Sequence, residues 1–224
     1  MLAARVFASP LELARATADE VASHLGWAVR LRGRASVAFS GGTTPWLMLE
    51  ALALHPVDWS SIDIFQVDER VAPEGHPDRN LVKLCHALRD LPEALANLHA
   101  IPIDGAGVNC AAQYATTIEQ SNHGIFDVVH LGLGADGHTA SIVPNDAILD
   151  NYHDLVAASG PYQGWPRISL TYRALNAARA LVWMVDGASK AGALEAFRTS
   201  DPAIPAGRVS TEHATLLCDR AAVS

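Results

Sequence analysis

The sequence predicts an α/β fold: three layers, with a mostly parallel sheet flanked by helices. Two observations carry this expectation. Short apolar segments, among them "ASVAFS" (35–40), "IFDVVHLGL" (125–133) and "ARALVWMVDG" (178–187), recur along the chain. They lack the alternation of a strand with one face in water and read as strands buried on both faces. Between them lie segments whose apolar residues return every three or four positions, the period of a helix with one face on a core. Strands alternating with helices build parallel sheets covered on both sides.

Taken in order, "ARVFAS" (4–9) is a short strand, and Pro10 precedes an amphipathic helix marked by Ala14, Ala18, Val21, Leu25 and Val29. "ASVAFS" is the second strand, and "GGTTP" turns the chain toward the helix "WLMLEALAL". Pro45 suits its first turn, where a missing N–H costs little. "IDIFQVD" (62–68) is the third strand, followed by a polar loop over 69–80 and the helix "LVKLCHALRD". A helix over 108–121 leads into the strand at 125–133, apolar apart from His130. The strand at 178–187, the helix "SKAGALEAF" (189–197) and the strand "ATLLCD" (214–219) complete the pattern. The region 145–170 is the least regular and reads as an elaborated loop or small excursion. With no internal repeat, charge block or linker, residues 1–224 are expected to form one domain.

The 224 residues are half apolar, enough for a large buried core. A net charge of -8, with no basic run interleaved with aromatics, argues against nucleic acid as a partner. Cys85, Cys110 and Cys218 are dispersed and odd in number, which fits neither a disulfide framework nor a CxxC metal site. A reduced, cytoplasmic compartment is the expectation. The N-terminus becomes helical in pattern before any cleavage signal, and no stretch nears the roughly 18 apolar residues of a membrane span. Neither a membrane nor a metal nor a cofactor is called for. Monomer and homodimer are both compatible with the apolar helix faces.

Four polar constellations stand at or near predicted strand ends, where open α/β sheets hold ligands. In "SGGTTP" (40–45), Gly41 and Gly42 allow close backbone approach, while Thr43, Thr44 and the free N–H groups of the next helix can cradle a phosphate. An ordinary capped turn has the same local pattern, and the P-loop spacing is absent. "VDERVAPEGHPDRN" (67–80) brings Asp68, Glu69 and Arg70 to a strand end, with His76 and Arg79 beyond. These residues suit anion or hydroxyl binding, and equally a solvated loop with weak ion pairs. "LGLGADGHTASIVP" (131–144) ends a buried strand in glycines and sets Asp136 two residues before His138. Histidine is a useful base near neutral pH, and a bend at Gly137 would let Asp136 align it. Finally, "PRISLT" and "DGASKAGAL" supply Arg167 and Lys190. A cation such as Lys190 near a helix N-terminus calls for an anionic partner, either Asp186 or a bound phosphate.

Together these segments resemble the 6-phosphogluconolactonase family and, more distantly, the glucosamine-6-phosphate deaminases. The resemblance runs in order through "SGGTTP", "DERVAPEGHPDRN", "LGLGADGHTASIVP", "RISLT" (167–171) and "GASKAGAL" (187–194). It implies a deaminase/isomerase-like fold, a modified Rossmann type. It further implies hydrolysis of 6-phospho-D-glucono-1,5-lactone in the oxidative pentose phosphate pathway. Carried onto this chain, it makes His138 the base, Asp136 its neighbour, and Asp68 and Arg70 an active-site pair. Gly41, Gly42, Thr43 and Thr44 match the phosphate loop, and Arg167 and Lys190 the basic residues that approach that phosphate. The family commonly has Ser-Asn where this chain has Arg79-Asn80, so Arg79, like His76, is only a possible extra contact. Val71-Ala72-Pro73 and Ile142-Val143 are milder departures. The deaminases look like GHIAFNEP, with an acid before the proline; here the stretch is GHTASIVP, and Val143 carries no acid. They also tend to DEY, where this chain has DER. Both differences favour the lactonase. Another phosphosugar enzyme, or a non-catalytic phosphosugar-binding module, remains a separate reading.

Overall fold

A computed structural model of the chain describes residues 1–105 and 107–223. Its elements run β1 (Ala4–Phe7), α1 (Pro10–Arg32), β2 (Ala35–Phe39), α2 (Thr43–Leu52), β3 (Ile62–Gln66), β4 (Asp68–Arg70), α3 (Asn80–Ala87), α4 (Pro92–Ala96) and β5 (Leu98–His99). They continue with α5 (Gly107–Asn122), β6 (Val128–Leu131), β7 (Val156–Tyr162), β8 (Trp165–Leu170), α6 (Tyr172–Asn176), β9 (Leu181–Val185), α7 (Ala191–Arg198) and β10 (Ala214–Asp219).

Seven strands form a parallel sheet in the order β1-β10-β9-β6-β2-β3-β5. Every residue of β2, β3, β6 and β9 is buried, in keeping with their largely apolar character. Two cores lie on its two faces. On one, Leu13, Val21 and Leu25 of α1 and Met48, Leu49 and Leu52 of α2 pack on Val37, Ile64, Val128 and Val182. On the other, Tyr114 and Ile118 of α5, Leu175 of α6 and Phe197 of α7 meet Val129, Leu131 and Trp183. Helix α1 shows why a stretch of this sequence is helical. Ser9 Oγ accepts from the Glu12 N–H at 3.2 Å, and Gly33 ends the helix in the left-handed region.

The region 145–170, read as an elaborated loop or small excursion, is the excursion: β7 and β8 form an antiparallel hairpin, and β4 joins it as a third strand in the order β4-β8-β7. One expectation is corrected. The predicted strand 62–68 and the loop after it divide differently. β3 ends at Gln66, and Asp68–Arg70 leave the main sheet to pair with Ser169, Ile168 and Arg167. A local pattern of apolar residues reports burial but not the partner strand, which here lies about 100 residues away.

Candidate active site

A cavity of about 480 Å³ opens over the carboxyl ends of β2, β6 and β9, three neighbouring strands, with the β7–β8 tip as one wall. It has two chemically distinct ends.

The first is built around the amino end of α2. Gly42 is its N-cap, at φ 136°, and among the described residues no side chain caps the helix, so its first N–H groups keep their partial positive charge at the cavity. Gly41 packs so closely on the Asn80 side chain that a Cβ there would overlap the amide oxygen. Ser40 Oγ donates to the His130 carbonyl at 2.9 Å, and Thr44 Oγ1 to Asp186 Oδ2 at 2.8 Å; these tie the loop to β6 and to the loop after β9. Thr43 is exposed at the mouth. Asp186 therefore serves Thr44, and among the described residues Lys190 makes no ion pair although it lines the cavity. Arg167 also lines it. Burial lowers the Arg167 pKa, and Asp68, with one carboxylate oxygen 3.8 Å from Nη1, opposes that shift.

The second end is the glycine turn after β6. The Gly134 N–H donates to the His138 carbonyl at 2.8 Å and the Gly137 N–H to the Gly134 carbonyl at 3.0 Å, closing a compact loop. A Cβ on Gly134 would overlap the His138 ring, so this residue is glycine because the imidazole lies against its backbone. His138 Nδ1 is 2.6 Å from Asp136 Oδ1, which also accepts the His138 N–H at 3.2 Å. A ring nitrogen this close to a carboxylate carries the proton, which leaves Nε2 as the basic nitrogen. Burial alone would raise the Asp136 pKa; the bonds from His138 outweigh it and hold the carboxyl below its ordinary value.

The DER segment divides its labour. Asp68 is buried, accepting from Ser141 Oγ at 2.5 Å, and lines the cavity. Arg70 also lines it, with Nη1 donating to the Asp78 carbonyl at 2.6 Å. Glu69 points away and is fully buried. It accepts from the N–H groups of Arg70, Asn80 and Leu81 at 2.7–2.9 Å and from the Gln66 amide at 2.9 Å, capping α3 from a distant strand. Arg79 and His76, the two possible extra contacts, do not line the cavity. Arg79 is 4% exposed, with Nε 3.4 Å from Glu69 Oε2, near enough to pair but misaligned for a hydrogen bond. His76 accepts from the Asp78 N–H at 3.2 Å and packs edge-on against Trp165.

Sequence reasoning missed Tyr162, Gln163 and Asn80, which line the cavity. The signal for the first two was present as "YQGW": a two-residue turn between aromatic positions, with Gln163 at φ 50° and Gly164 at φ 88°. Among the described residues, no group of three or more His, Cys, Asp or Glu is placed to hold a metal ion. No helix among them is long and apolar enough to cross a membrane.

The protein is of the α/β class with a parallel sheet, and its strand-edge cavity has helix-dipole and cationic groups suited to a small anion at one end and an aspartate-paired imidazole at the other. The chain belongs to the glucosamine-6-phosphate isomerase/6-phosphogluconolactonase family, whose model matches residues 8–218. It is 37% identical over 184 residues to the 6-phosphogluconolactonase of a Nostoc species, covering 79% of this chain and 76% of that one. It is likewise 37% identical over 203 residues to that of Pseudomonas aeruginosa, covering 86% and 83%. Among solved structures, a 6-phosphogluconolactonase from Shewanella baltica superposes with a TM-score of 0.84 at 26% identity, over 98% of this chain and 97% of that one. The one from Thermotoga maritima, at 24% identity, shares the fold with a TM-score of 0.87 over 98% and 99%.

Proposed function

We propose that this chain hydrolyses 6-phospho-D-glucono-1,5-lactone to 6-phospho-D-gluconate, acting as one domain, with His138 as general base. The observation that carries the reading is the pairing of His138 Nδ1 with Asp136 at 2.6 Å on the same cavity as Arg167, Lys190 and the uncapped end of α2. That geometry supports a basic Nε2 at one end and a phosphate seat at the other. The names of the relatives support the substrate.

In this mechanism the phosphate binds the α2 N–H groups, Lys190 and Arg167, and remote binding energy holds C1 near His138. Nε2 takes a proton from water as the water oxygen bonds to C1. Asp136 stabilises the imidazolium so formed, and the imidazolium returns its proton to the ring oxygen as the C1–O bond breaks. General acid–base help of this kind contributes roughly 10²–10⁴-fold. Charge developing on the carbonyl oxygen needs a donor. The Gly134 and Gly137 N–H groups are spent inside their turn, which favours Arg70 for this part.

The test is a coupled assay on freshly generated lactone, corrected for spontaneous hydrolysis, with glucosamine 6-phosphate run beside it. The expected result is a rate above background with the lactone alone, reduced at least about 100-fold in His138→Ala with product affinity little changed. Ammonia release from the amino sugar, or no rate above background, overturns the substrate; undiminished turnover in His138→Ala overturns the base.

A further inference from the structure

Tyr162 is outside the motifs that carry the family resemblance, yet its side chain meets the His138–Asp136 pair. Its Oη is 3.1 Å from Asp136 Oδ2 and 3.3 Å from His138 Nδ1, and its ring stands edge-on to the imidazole with centroids 5.1 Å apart. Among the described residues, no other group is bonded to Asp136 Oδ2, whereas Oδ1 is taken by His138.

We propose that Tyr162 is a positioning residue, the third member of a His138–Asp136–Tyr162 unit, an inference that rests on the reaction proposed above. A carboxylate turns easily about its last torsion, which is broad and nearly two-fold. With a donor on each oxygen, the plane of Asp136 is fixed, and so is the Nδ1–H tautomer of His138. Burial, and then the charge of Asp136, raise the Tyr162 pKa, so the phenol keeps the proton it donates.

Tyr162 is itself held. It closes a two-residue turn opposite Trp165, and an irregularity in the β7–β8 register between Ser159 and Tyr162 re-aims the end of the strand. Arg167 donates to its carbonyl from Nη2 at 2.7 Å and Nε at 3.2 Å, and the guanidinium carbon lies 5.5 Å from the ring centroid. The same residue thus touches the cation of one end of the cavity through its backbone and the base of the other through its hydroxyl.

The experiment compares Tyr162→Phe with the intact protein, each alone and in an Asp136→Asn background. Phenylalanine keeps the ring packing and removes only the hydroxyl. Two readouts are taken: kcat and KM on the lactone, and the Nδ1-bound proton of His138 by NMR on protein with ¹⁵N-labelled histidine. Loss of one hydrogen bond to a charged group in a half-open site is expected to lower kcat about tenfold with KM changed less than about twofold. In the Asn background the further loss should be under about twofold, because the two residues act as one unit. The His138 Nδ1 proton should exchange faster with water in Tyr162→Phe. An unchanged kcat, a full loss persisting in the Asn background, or an unchanged Nδ1 resonance each overturns the proposal. If the intact protein shows no lactonase rate, the reaction reading fails separately, and the NMR comparison alone then decides the role of Tyr162.

Discussion

Lowering the pH should destabilise this protein through one buried histidine. His130 lies in β6, in register with Phe39 of β2 and Val182 of β9, on the face covered by α1 and α2. It is fully buried, and among the described residues neither ring nitrogen has a hydrogen-bond partner. Burial pushes its pKa down to about 3. Above the unfolded value of about 6.5, both states are neutral and His130 contributes no pH dependence. As pH falls below that value the unfolded chain takes up a proton that the folded chain refuses, so stability drops until the folded pKa is reached. At pH 5 the expected loss is about 2 kcal/mol, a figure that depends on the unfolded value alone as long as the folded one stays well below 5. His130→Leu removes this loss and also the buried, unpartnered nitrogens. Urea unfolding of both proteins between pH 5 and pH 8 is the assay, read as the difference between the two stability curves so that all other titrating groups cancel. The curves should diverge by about 2 kcal/mol toward pH 5, with the leucine variant the more resistant. Parallel curves would refute the reasoning, since they require His130 to be protonated in the folded state as readily as in the unfolded one.

Glu69→Ala should cost about 3–5 kcal/mol in the same unfolding assay, because it strands the Arg79 guanidinium and three backbone N–H groups at once. A loss below about 1 kcal/mol would mean that solvent reaches the site and replaces the carboxylate. Gly134→Ala should fold with little change in midpoint yet lose at least about tenfold in lactone turnover, since the added methyl displaces the imidazole from Asp136. Wild-type turnover there would show that the ring can shift without consequence. Lys190→Ala should erode the preference for the phosphorylated over the bare lactone by about tenfold or more in kcat/KM, and an unchanged ratio would remove Lys190 from the phosphate seat.

The chain's local pattern was enough for the parts that depend on near neighbours. Largely apolar runs announced β2, β6 and β9, because a strand buried on both faces leaves few positions for a polar side chain. The glycine turn and its His138–Asp136 pair were equally legible, the two residues being separated by a single bend. It was the family resemblance, not local pattern, that grouped Gly41, Gly42, Thr43, Thr44, Arg167 and Lys190, and all six line the cavity.

What local pattern could not supply was the second sheet. β7 alternates only weakly, with burial of its residues interrupted by intermediate and exposed positions, so the segment read as an elaborated loop or small excursion, with no partner strand assigned. Its register with β8, and that of β8 with β4, bring Asp68, Tyr162 and Arg167 together from three strands. The same pairing decides why neighbours in DER differ. Asp68 and Arg70 reach the cavity, while Glu69 turns inward to cap α3 and hold Arg79. The sequence by itself determined the buried strands of the main sheet and the turn that pairs His138 with Asp136, because burial and turn chemistry are written in adjacent residues. Only the tertiary structure decided which charges face the cavity and which face each other. Those assignments follow from strand pairing across long stretches of chain, and a residue's own neighbours carry no record of it.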